Sequence, residues 1–249
     1  MSASAGRRRW LAGGVGAVLI LAAVVAGFVV RGHLRELPPR QPSSRPELLV
    51  LTSLPIVFPE SFTLDASPSP ALAALRSRYK VVPISIADAK SLKGHRLLLM
   101  AQPQAQPAEV LVQLDSWVRQ GGHVLLLADP VLEWPSERPL GDALRPPLAF
   151  ADTGLLIHWG LRLDAPDRLG PETFVVGGNP VHTLSPGKLV ATSRACSVLE
   201  GSSVAQCKVG RGEAIVIADA DFLDVERRRE PARSGNVDFL IRQLATLEQ

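Results

Sequence analysis

The sequence predicts an α/β protein, an open and mostly parallel sheet with helices on both faces, preceded by one transmembrane helix. Three observations lead to this prediction. An uncharged apolar stretch of 21 residues, Trp10–Val30, lies near the start of the 249-residue chain. Residues 95–130 have a strand, helix, strand pattern. Short apolar runs on either side of that unit are typical of strands buried on both faces.

The central unit is built from two buried runs joined by an amphipathic helix. Arg96–Ala101 and His123–Ala128 are continuous apolar runs, which suit buried strands. Between them, Pro107 fits a first helical turn, and the apolar positions from Val110 to Val118 form one stripe. Gly121-Gly122 supplies the stop after the helix. Two buried strands joined in this way should lie parallel, with a right-handed crossover.

The remaining elements extend and cover this sheet. Pro83 in the second strand indicates an edge position or a bulge. The flanking predictions are strand Glu47–Leu54, helix Ala71–Tyr79, strand Lys80–Ile86, helix Asp152–Trp159, strands Phe174–Val176 and Lys188–Thr192, turn Ser197–Val204, strands Gln206–Val209 and Glu213–Ala218, and helix Asn236–Leu247.

The chain divides into a cytoplasmic leader (1–9), a transmembrane anchor (10–30), a proline-rich linker (31–46) and an extracytoplasmic α/β domain (47–249). At about 1.5 Å per residue, the apolar stretch is long enough for a ~30 Å hydrocarbon layer. A cleaved export signal is the alternative, since Arg7-Arg8-Arg9-Trp10-Leu11 loosely resembles a twin-arginine signal. The long apolar run and the absence of an A-x-A site favour the anchor.

The orientation depends on two further features. Arginines flank the apolar stretch on both sides, so the positive-inside count is nearly balanced. The basic leader lies tight against the apolar run, as in signal anchors, and the cysteine usage described below suits an oxidising compartment. We therefore expect a single-pass protein of the bacterial inner membrane with its soluble domain in the periplasm.

The net charge does not indicate a nucleic-acid partner. The chain carries +3 overall, but residues 1–40 hold six arginines and one glutamate, so the remainder sums to −2. The positive charge therefore flanks the predicted anchor, which is typical of membrane topology. The basic run Arg227–Arg229 lies between Glu226 and Glu230, as on a solvated surface.

Three aspartates are candidates for ligand binding. Asp129, Asp219 and Asp221 lie at the predicted carboxyl ends of parallel strands, where open α/β sheets bind ligands. Carboxylates there could hold a polar ligand or a metal. The alternative is that they cap turns, as aspartates at strand ends commonly do. The five histidines show no metal-ligand spacing, so neither a metal site nor a cofactor is predicted.

No signature of a catalytic nucleophile is present, because G-x-S-x-G and its cysteine counterpart are absent. Cys196 and Cys207 flank a predicted turn between two strands, so they could face each other and form a disulfide. Two buried free thiols are the alternative.

Two motifs resemble one known family. The stretch LLLMAQPQAQPAEVLVQLDSWVRQGGHVLLLADP looks like the core of the GldG-like, uncharacterised ABC-type transport-system domain family. The stretch VGRGEAIVIADADFLDVERRREPARSGNVDFLIRQL is similar to that family's second motif. Its matching residues are Gly210, Gly212, Asp219, Asp221, Phe222, Gly235, Asn236 and Phe239, of which Asn236 joins the candidate ligand-binding residues.

The resemblance implies a fold like that of class I glutamine amidotransferases, or flavodoxin-like, without amidotransferase activity. Where the nucleophile elbow of an active enzyme would follow a strand, this chain has Ala101-Gln102-Pro103. The resemblance also implies an accessory role beside the ATPase and permease subunits of an ABC-type transporter. We therefore expect a membrane-anchored, non-catalytic interaction domain. The alternatives are a periplasmic ligand- or glycan-binding domain using the aspartate-rich strand ends, and a hydrolase of unrecognised type.

Overall fold

A computed structural model describes residues 37–60, 68–199, 201–224 and 232–249. The predicted leader, the predicted anchor 10–30 and residues 31–36 of the predicted linker lie outside these ranges. Within them, no helix is both long and apolar enough to cross a membrane.

Eleven strands are formed by the described residues: β1 (Glu47–Thr52), β2 (Lys80–Pro83), β3 (Leu97–Ala101), β4 (His123–Leu127), β5 (Leu161–Asp164), β6 (Pro171–Val176), β7 (Asn179–Leu184), β8 (Lys188–Ala191), β9 (Cys196–Val198), β10 (Val204–Val209) and β11 (Gly212–Ile217). The helices of the same ranges are α1 (Pro70–Arg78), α2 (Ala89–Leu92), α3 (Ala108–Arg119), α4 (Leu155–Trp159) and α5 (Ala232–Thr246).

The main sheet of the described chain has seven strands in the order β2-β1-β3-β4-β11-β10-β9. The first five are parallel, and β10 and β9 are antiparallel additions at one edge. Two short antiparallel pairs, β5 with β8 and β6 with β7, stand beside it. The predicted α/β class with a mostly parallel sheet is therefore confirmed.

The direction of the connections distributes the helices over two faces. The step from β1 through α1 to β2 runs towards one edge of the sheet, and the step from β3 through α3 to β4 runs towards the other. Right-handed crossovers therefore place α1 and α3 on opposite faces. On the α3 face, Leu98 and Met100 pack in one buried cluster with Val110, Leu114 and Val118. Helix α1 contributes no residue to that cluster and contacts α5 instead.

Close backbone approach explains the glycines between α3 and the hairpin of β10 and β11. A Cβ on Gly212 would lie 2.1 Å from the carbonyl oxygen of Gly122 and 2.2 Å from that of Val118. A Cβ on Gly210, which has φ +64°, would lie 2.7 Å from the Cα of Arg119. Only glycine lets the hairpin reach the end of the helix so closely.

Several predicted boundaries are wrong by a few residues, for local reasons. The second strand ends at Pro83 and is an edge strand, as its proline indicates. The turn predicted over Ser197–Val204 overlaps β9 and the start of β10. Helix α4 begins at Leu155, because Gly154 has φ +100°, although the Asp152 carboxylate accepts from the Gly154 N–H at 3.1 Å. Strand β7 and the short helix α2 had no prediction.

Candidate functional site

The three aspartates predicted from the sequence meet at the carboxyl edge of the sheet. Strands β4 and β11 are parallel neighbours, and Leu127 lies opposite Ile217. Asp129 follows β4, and Asp219 and Asp221 follow β11, so all three leave the sheet at the same edge. All three side chains are buried.

Asp129 uses both carboxylate oxygens to bind backbone N–H groups. Its Oδ1 accepts from Val131 at 2.8 Å and its Oδ2 accepts from Ala220 at 2.9 Å. The first contact shapes the chain that leaves β4, and the second joins that chain to the one leaving β11. This geometry is that of a carboxylate that organises turns.

Asp219 is also fully hydrogen-bonded. Its Oδ1 accepts from the Phe222 N–H at 2.9 Å, and its Oδ2 accepts a short hydrogen bond from the Thr183 hydroxyl. Thr183 belongs to β7, so Asp219 joins the short β6–β7 pair to the end of β11.

Asp221 differs from the other two because one of its oxygens has no partner. Its Oδ2 accepts from the Glu133 N–H at 2.7 Å, whereas the buried Oδ1 has no hydrogen-bond partner. The side chain is 1% exposed. The Glu133 carboxylate beside it accepts a short hydrogen bond from the Ser185 hydroxyl. Four acidic side chains therefore crowd this edge.

Burial and mutual repulsion raise the pKa values of all three aspartates above their usual range. Burial raises the pKa of Asp129 to about 6, against the hydrogen bonds from Ala220 and Val131. Burial and the charge of Asp129 raise the pKa of Asp221 to about 7, and Glu133 and Asp224 add to the repulsion. Burial and Asp129 also raise the pKa of Asp219 well above its usual range. In the described ranges, no group of three or more His, Cys, Asp or Glu side chains is arranged to hold a metal ion.

Asn236 lies near the aspartate cluster, but its side-chain amide forms hydrogen bonds to backbone groups. Its Oδ1 accepts from the His182 N–H at 3.0 Å. Its Nδ2 donates to the carbonyl oxygens of His182 and Phe222, at 2.7 Å each. The side chain therefore joins α5 to β7 and to the turn after β11, which is a structural use of a residue predicted to bind a ligand.

Gln102, which directly follows a predicted strand, is central to this edge. It is a non-glycine residue with positive φ, at +43°, directly after β3. Its side chain is buried, and its Oε1 accepts from the Asp129 N–H at 2.9 Å. Its Nε2 donates to the carbonyl oxygens of Asp129 at 3.2 Å and Pro147 at 3.1 Å. The amide thus anchors both ends of the long connection after β4.

Two loops at this edge, residues 53–60 and 131–150, are named here the carboxyl-edge loops. Glu60 links them, because its carboxylate accepts from the Ser136 hydroxyl and from the Glu137 N–H at 3.1 Å. They carry large apolar side chains that point into solvent. These are Phe58, Leu140, Leu144 and Leu148, which are 71%, 74%, 68% and 50% exposed.

Cys196 and Cys207 are joined by a disulfide between the paired strands β9 and β10. Both are buried against the α3 face, and no cysteine of the chain remains free.

No protein-family model matches the sequence, and no curated protein sequence matches it. Among solved structures, the chain is similar to the exo-β-1,4-mannosidase Op5Man5 from Opitutaceae bacterium strain TAV5, with a TM-score of 0.50 and 12% identity. That match covers 81% of this chain and 36% of the mannosidase, so the chain spans about a third of that enzyme's length. A likeness at this identity is one of fold alone.

Two smaller proteins match along nearly their whole length. The N-terminal domain of mmIFT52 has a TM-score of 0.48 and 15% identity, over 80% of this chain and 98% of that one. Cytoplasmic protein STM1381 from Salmonella typhimurium LT2 has a TM-score of 0.47 and 14% identity, over 81% of this chain and 99% of that one.

Several polar residues of this edge were not among the predicted site residues: Gln102, Glu133, Thr183 and Ser185. Gln102 could have been found, since the sequence places it directly after a buried strand. The other three come from loops and from β7, and no local pattern connects them with the aspartates.

Proposed function

We propose that this protein is a membrane-anchored, non-catalytic interaction domain that works with an ABC-type transport system from outside the cytoplasmic membrane. The observation that carries the proposal is the conformation and bonding of Gln102. In hydrolases with a nucleophile elbow, the nucleophile stands on a strained turn directly after a strand. Gln102 has that position and a φ of +43°, but its amide points inward and binds backbone groups.

The bonding of Gln102 supports a scaffold at this edge of the sheet. An amide is not a nucleophile, and this one is buried and fully used in fixing the chain between Asp129 and Pro147. Strain of this kind persists only where the surroundings hold it. Here the hydrogen bonds of Gln102 fix the conformation of the carboxyl-edge loops, so the strained residue stabilises a surface.

The carboxyl-edge loops are the surface that we assign to the partner. Their exposed apolar side chains, with Leu140 the most exposed at 74%, are of the kind that marks protein interaction sites. Links through Glu60 and Gln102 hold the loops before any partner binds, which lowers the ordering cost of association. The resemblance to the GldG-like family supports a transporter as the partner.

The disulfide supports the location. Disulfides persist in oxidising compartments such as the periplasm and are rare in the cytosol. The Cys196–Cys207 bond therefore agrees with a domain outside the inner membrane, held there by the apolar stretch 10–30.

Co-purification tests this function. The tagged full-length chain is extracted from its native membranes in a mild detergent, and the proteins recovered with it are identified by mass spectrometry. We expect an ATPase and a permease subunit. A variant with Leu140→Asp and Leu144→Asp should lose them, whereas Val112→Asp, on the outer side of α3 and 69% exposed, should retain them. Recovery of the wild-type chain alone would contradict the proposal.

A second candidate function is favoured by the unpartnered Oδ1 of Asp221. A buried oxygen without a donor is the feature that a hydroxyl-bearing ligand, such as a glycan, would satisfy. Thermal unfolding of the full-length chain with a panel of neutral oligosaccharides tests this candidate. A saturable rise in Tm that disappears in Asp221→Asn supports it, and no rise with any sugar rejects it.

A further inference from the structure

The opposite edge of the sheet, where the parallel strands begin, is basic. By register, Leu97, His123 and Glu213 lie side by side at the starts of β3, β4 and β11. We name this end the amino edge. Exposed basic residues cluster at it, before β3, before β9 and at the β10–β11 hairpin: Lys93, Arg96, Arg194, Lys208 and Arg211.

Most acidic groups at the amino edge already have a cationic partner. Glu47 pairs with Lys80 at 2.6 Å and lies 3.1 Å from the His95 ring. The other two pairs are Asp115 with Arg119, at 2.8 Å, and Glu248 with Arg40, at 2.6 Å. These acidic groups therefore leave the five exposed cations uncompensated.

Among the described residues, Glu213 is a further carboxylate at this edge. It lies opposite Lys208 in the β10–β11 register, but its carboxylate accepts a short hydrogen bond from the Gln206 amide. In the described part of the chain, no carboxylate forms an ion pair with Lys93, Arg96 or Lys208. Within the described ranges, these five exposed cations therefore give the amino edge an excess of positive charge, whereas the buried aspartates lie at the carboxyl edge.

The chain also enters the domain at the amino edge. Residues 38–46 run along it, because the Arg40 N–H donates to the Ser77 carbonyl at 2.9 Å and the Lys80 N–H donates to the Pro46 carbonyl at 2.9 Å. Arg78 adds a short hydrogen bond to the Pro38 carbonyl. Residues 38–46, which belong to the predicted linker, are therefore fixed to the same edge that carries the exposed cations.

We infer that the amino edge is a docking surface for the anionic phospholipid headgroups of the membrane that holds the chain, an inference that rests on the proposed anchoring. Clustered lysines and arginines next to a membrane are attracted by anionic lipid over about one Debye length. Charge complementarity selects headgroups over an apolar partner. Docking of this edge leaves the carboxyl-edge loops, at the other end of the parallel strands, free for a protein partner.

Lysine footprinting of the full-length chain tests the inference. The chain is reconstituted into nanodiscs of phosphatidylcholine alone, or with phosphatidylglycerol added, and exposed lysines are acetylated and quantified by mass spectrometry. We expect the acetylation rates of Lys93 and Lys208 to fall about threefold or more when anionic lipid is present. Lys188, which lies beside the end of β11 at the other edge, serves as the internal control and should not change. The protection should vanish in 1 M NaCl, where the Debye length is about 3 Å.

Matched variants make the test specific. Arg96→Gln should weaken the protection of Lys93 and Lys208. The control Arg168→Gln removes the same charge elsewhere, keeps Lys188 as the internal reference and should leave the protection intact. Equal acetylation in both lipids, or equal effects of the two variants, overturns the inference even if the chain is anchored.

Failure of the anchoring gives a different result. A chain that does not enter nanodiscs contradicts the proposed anchor. The surface is then tested alone, by sedimentation of the same chain with phosphatidylglycerol vesicles. Salt-sensitive binding to these vesicles would support the basic surface in a chain without an anchor. No binding to the vesicles would contradict both the anchor and the lipid-binding surface.

Discussion

Replacing Gln102 by alanine and by glycine separates the two roles that the structure gives this residue. Both changes remove the same hydrogen bonds, at 2.9 Å from the Asp129 N–H and at 3.2 and 3.1 Å to the Asp129 and Pro147 carbonyls. Each buried group left without a partner costs about 1 kcal/mol or more, so both variants should lose about 3 kcal/mol of unfolding free energy.

The backbone distinguishes the two variants. Gln102 has φ +43°, a conformation that costs an L-residue about 1 kcal/mol and glycine almost nothing. Gln102→Gly should therefore be more stable than Gln102→Ala by about 1 kcal/mol. This order is the reverse of the usual one, because glycine ordinarily loses more chain entropy on folding than alanine.

Urea unfolding of the full-length chain in detergent, followed by tryptophan fluorescence, measures the difference. Gln104 provides the control, since it also joins the loop through bonds from its amide to Ala143 and Arg145 but does not have a positive φ. At position 104, alanine should equal or exceed glycine in stability. If alanine is also the better substitute at position 102, the strained elbow is not a property of the protein in solution.

Three further predictions follow from burial, cross-linking and close packing. The native carboxyls of the aspartate cluster bind protons that the unfolded chain has released, so the unfolding free energy should fall as pH rises from about 4 to about 7. Urea titrations at several pH values should show a smaller change of unfolding free energy with pH for Asp221→Asn than for the wild-type chain. The raised pKa of Asp221, about 7 against 3.8 ordinarily, accounts for about 4 kcal/mol of that change at most. Replacing Cys196 and Cys207 by alanine should lower the unfolding free energy by about 3 kcal/mol, as the chain-entropy model gives for a loop of this length, and an unchanged urea midpoint would contradict it. Gly212→Ala should lower Tm far more than Gly235→Ala, because an added Cβ meets backbone oxygens at 2.1 and 2.2 Å at position 212, whereas at position 235 its nearest neighbour is the Pro180 carbonyl oxygen at 3.8 Å.

The sequence predicts the sheet well because each buried strand is visible as a short run of apolar residues. All five residues of β3 are buried, and four of the five in β4, so both read as continuous apolar runs. The helix between them has an apolar stripe whose members Val110, Leu114 and Val118 are buried. The aspartates at the strand ends were predictable for the same reason, since parallel strands bring their carboxyl ends to one edge.

The parts that sequence reasoning missed depend on long-range contacts. Strand β7 begins with Asn179 and Pro180 and buries only Val181 and Thr183, so its sequence resembles a loop. Its Thr183 reaches Asp219 across 36 positions, and Glu133 reaches Asp221 across 88. No local pattern encodes such pairs, and they decide whether an oxygen is free for a ligand.

The residues that resemble the GldG-like motif are explained by packing. Gly210 and Gly212 allow the hairpin to approach α3, and Asn236 fastens α5 to β7. Phe222 and Phe239 meet edge to face, with ring centroids 5.4 Å apart. A motif made of such residues specifies a fold and leaves the choice of partner to exposed positions that it does not contain. The two surfaces that we propose for binding, the carboxyl-edge loops and the amino edge, lie largely outside it.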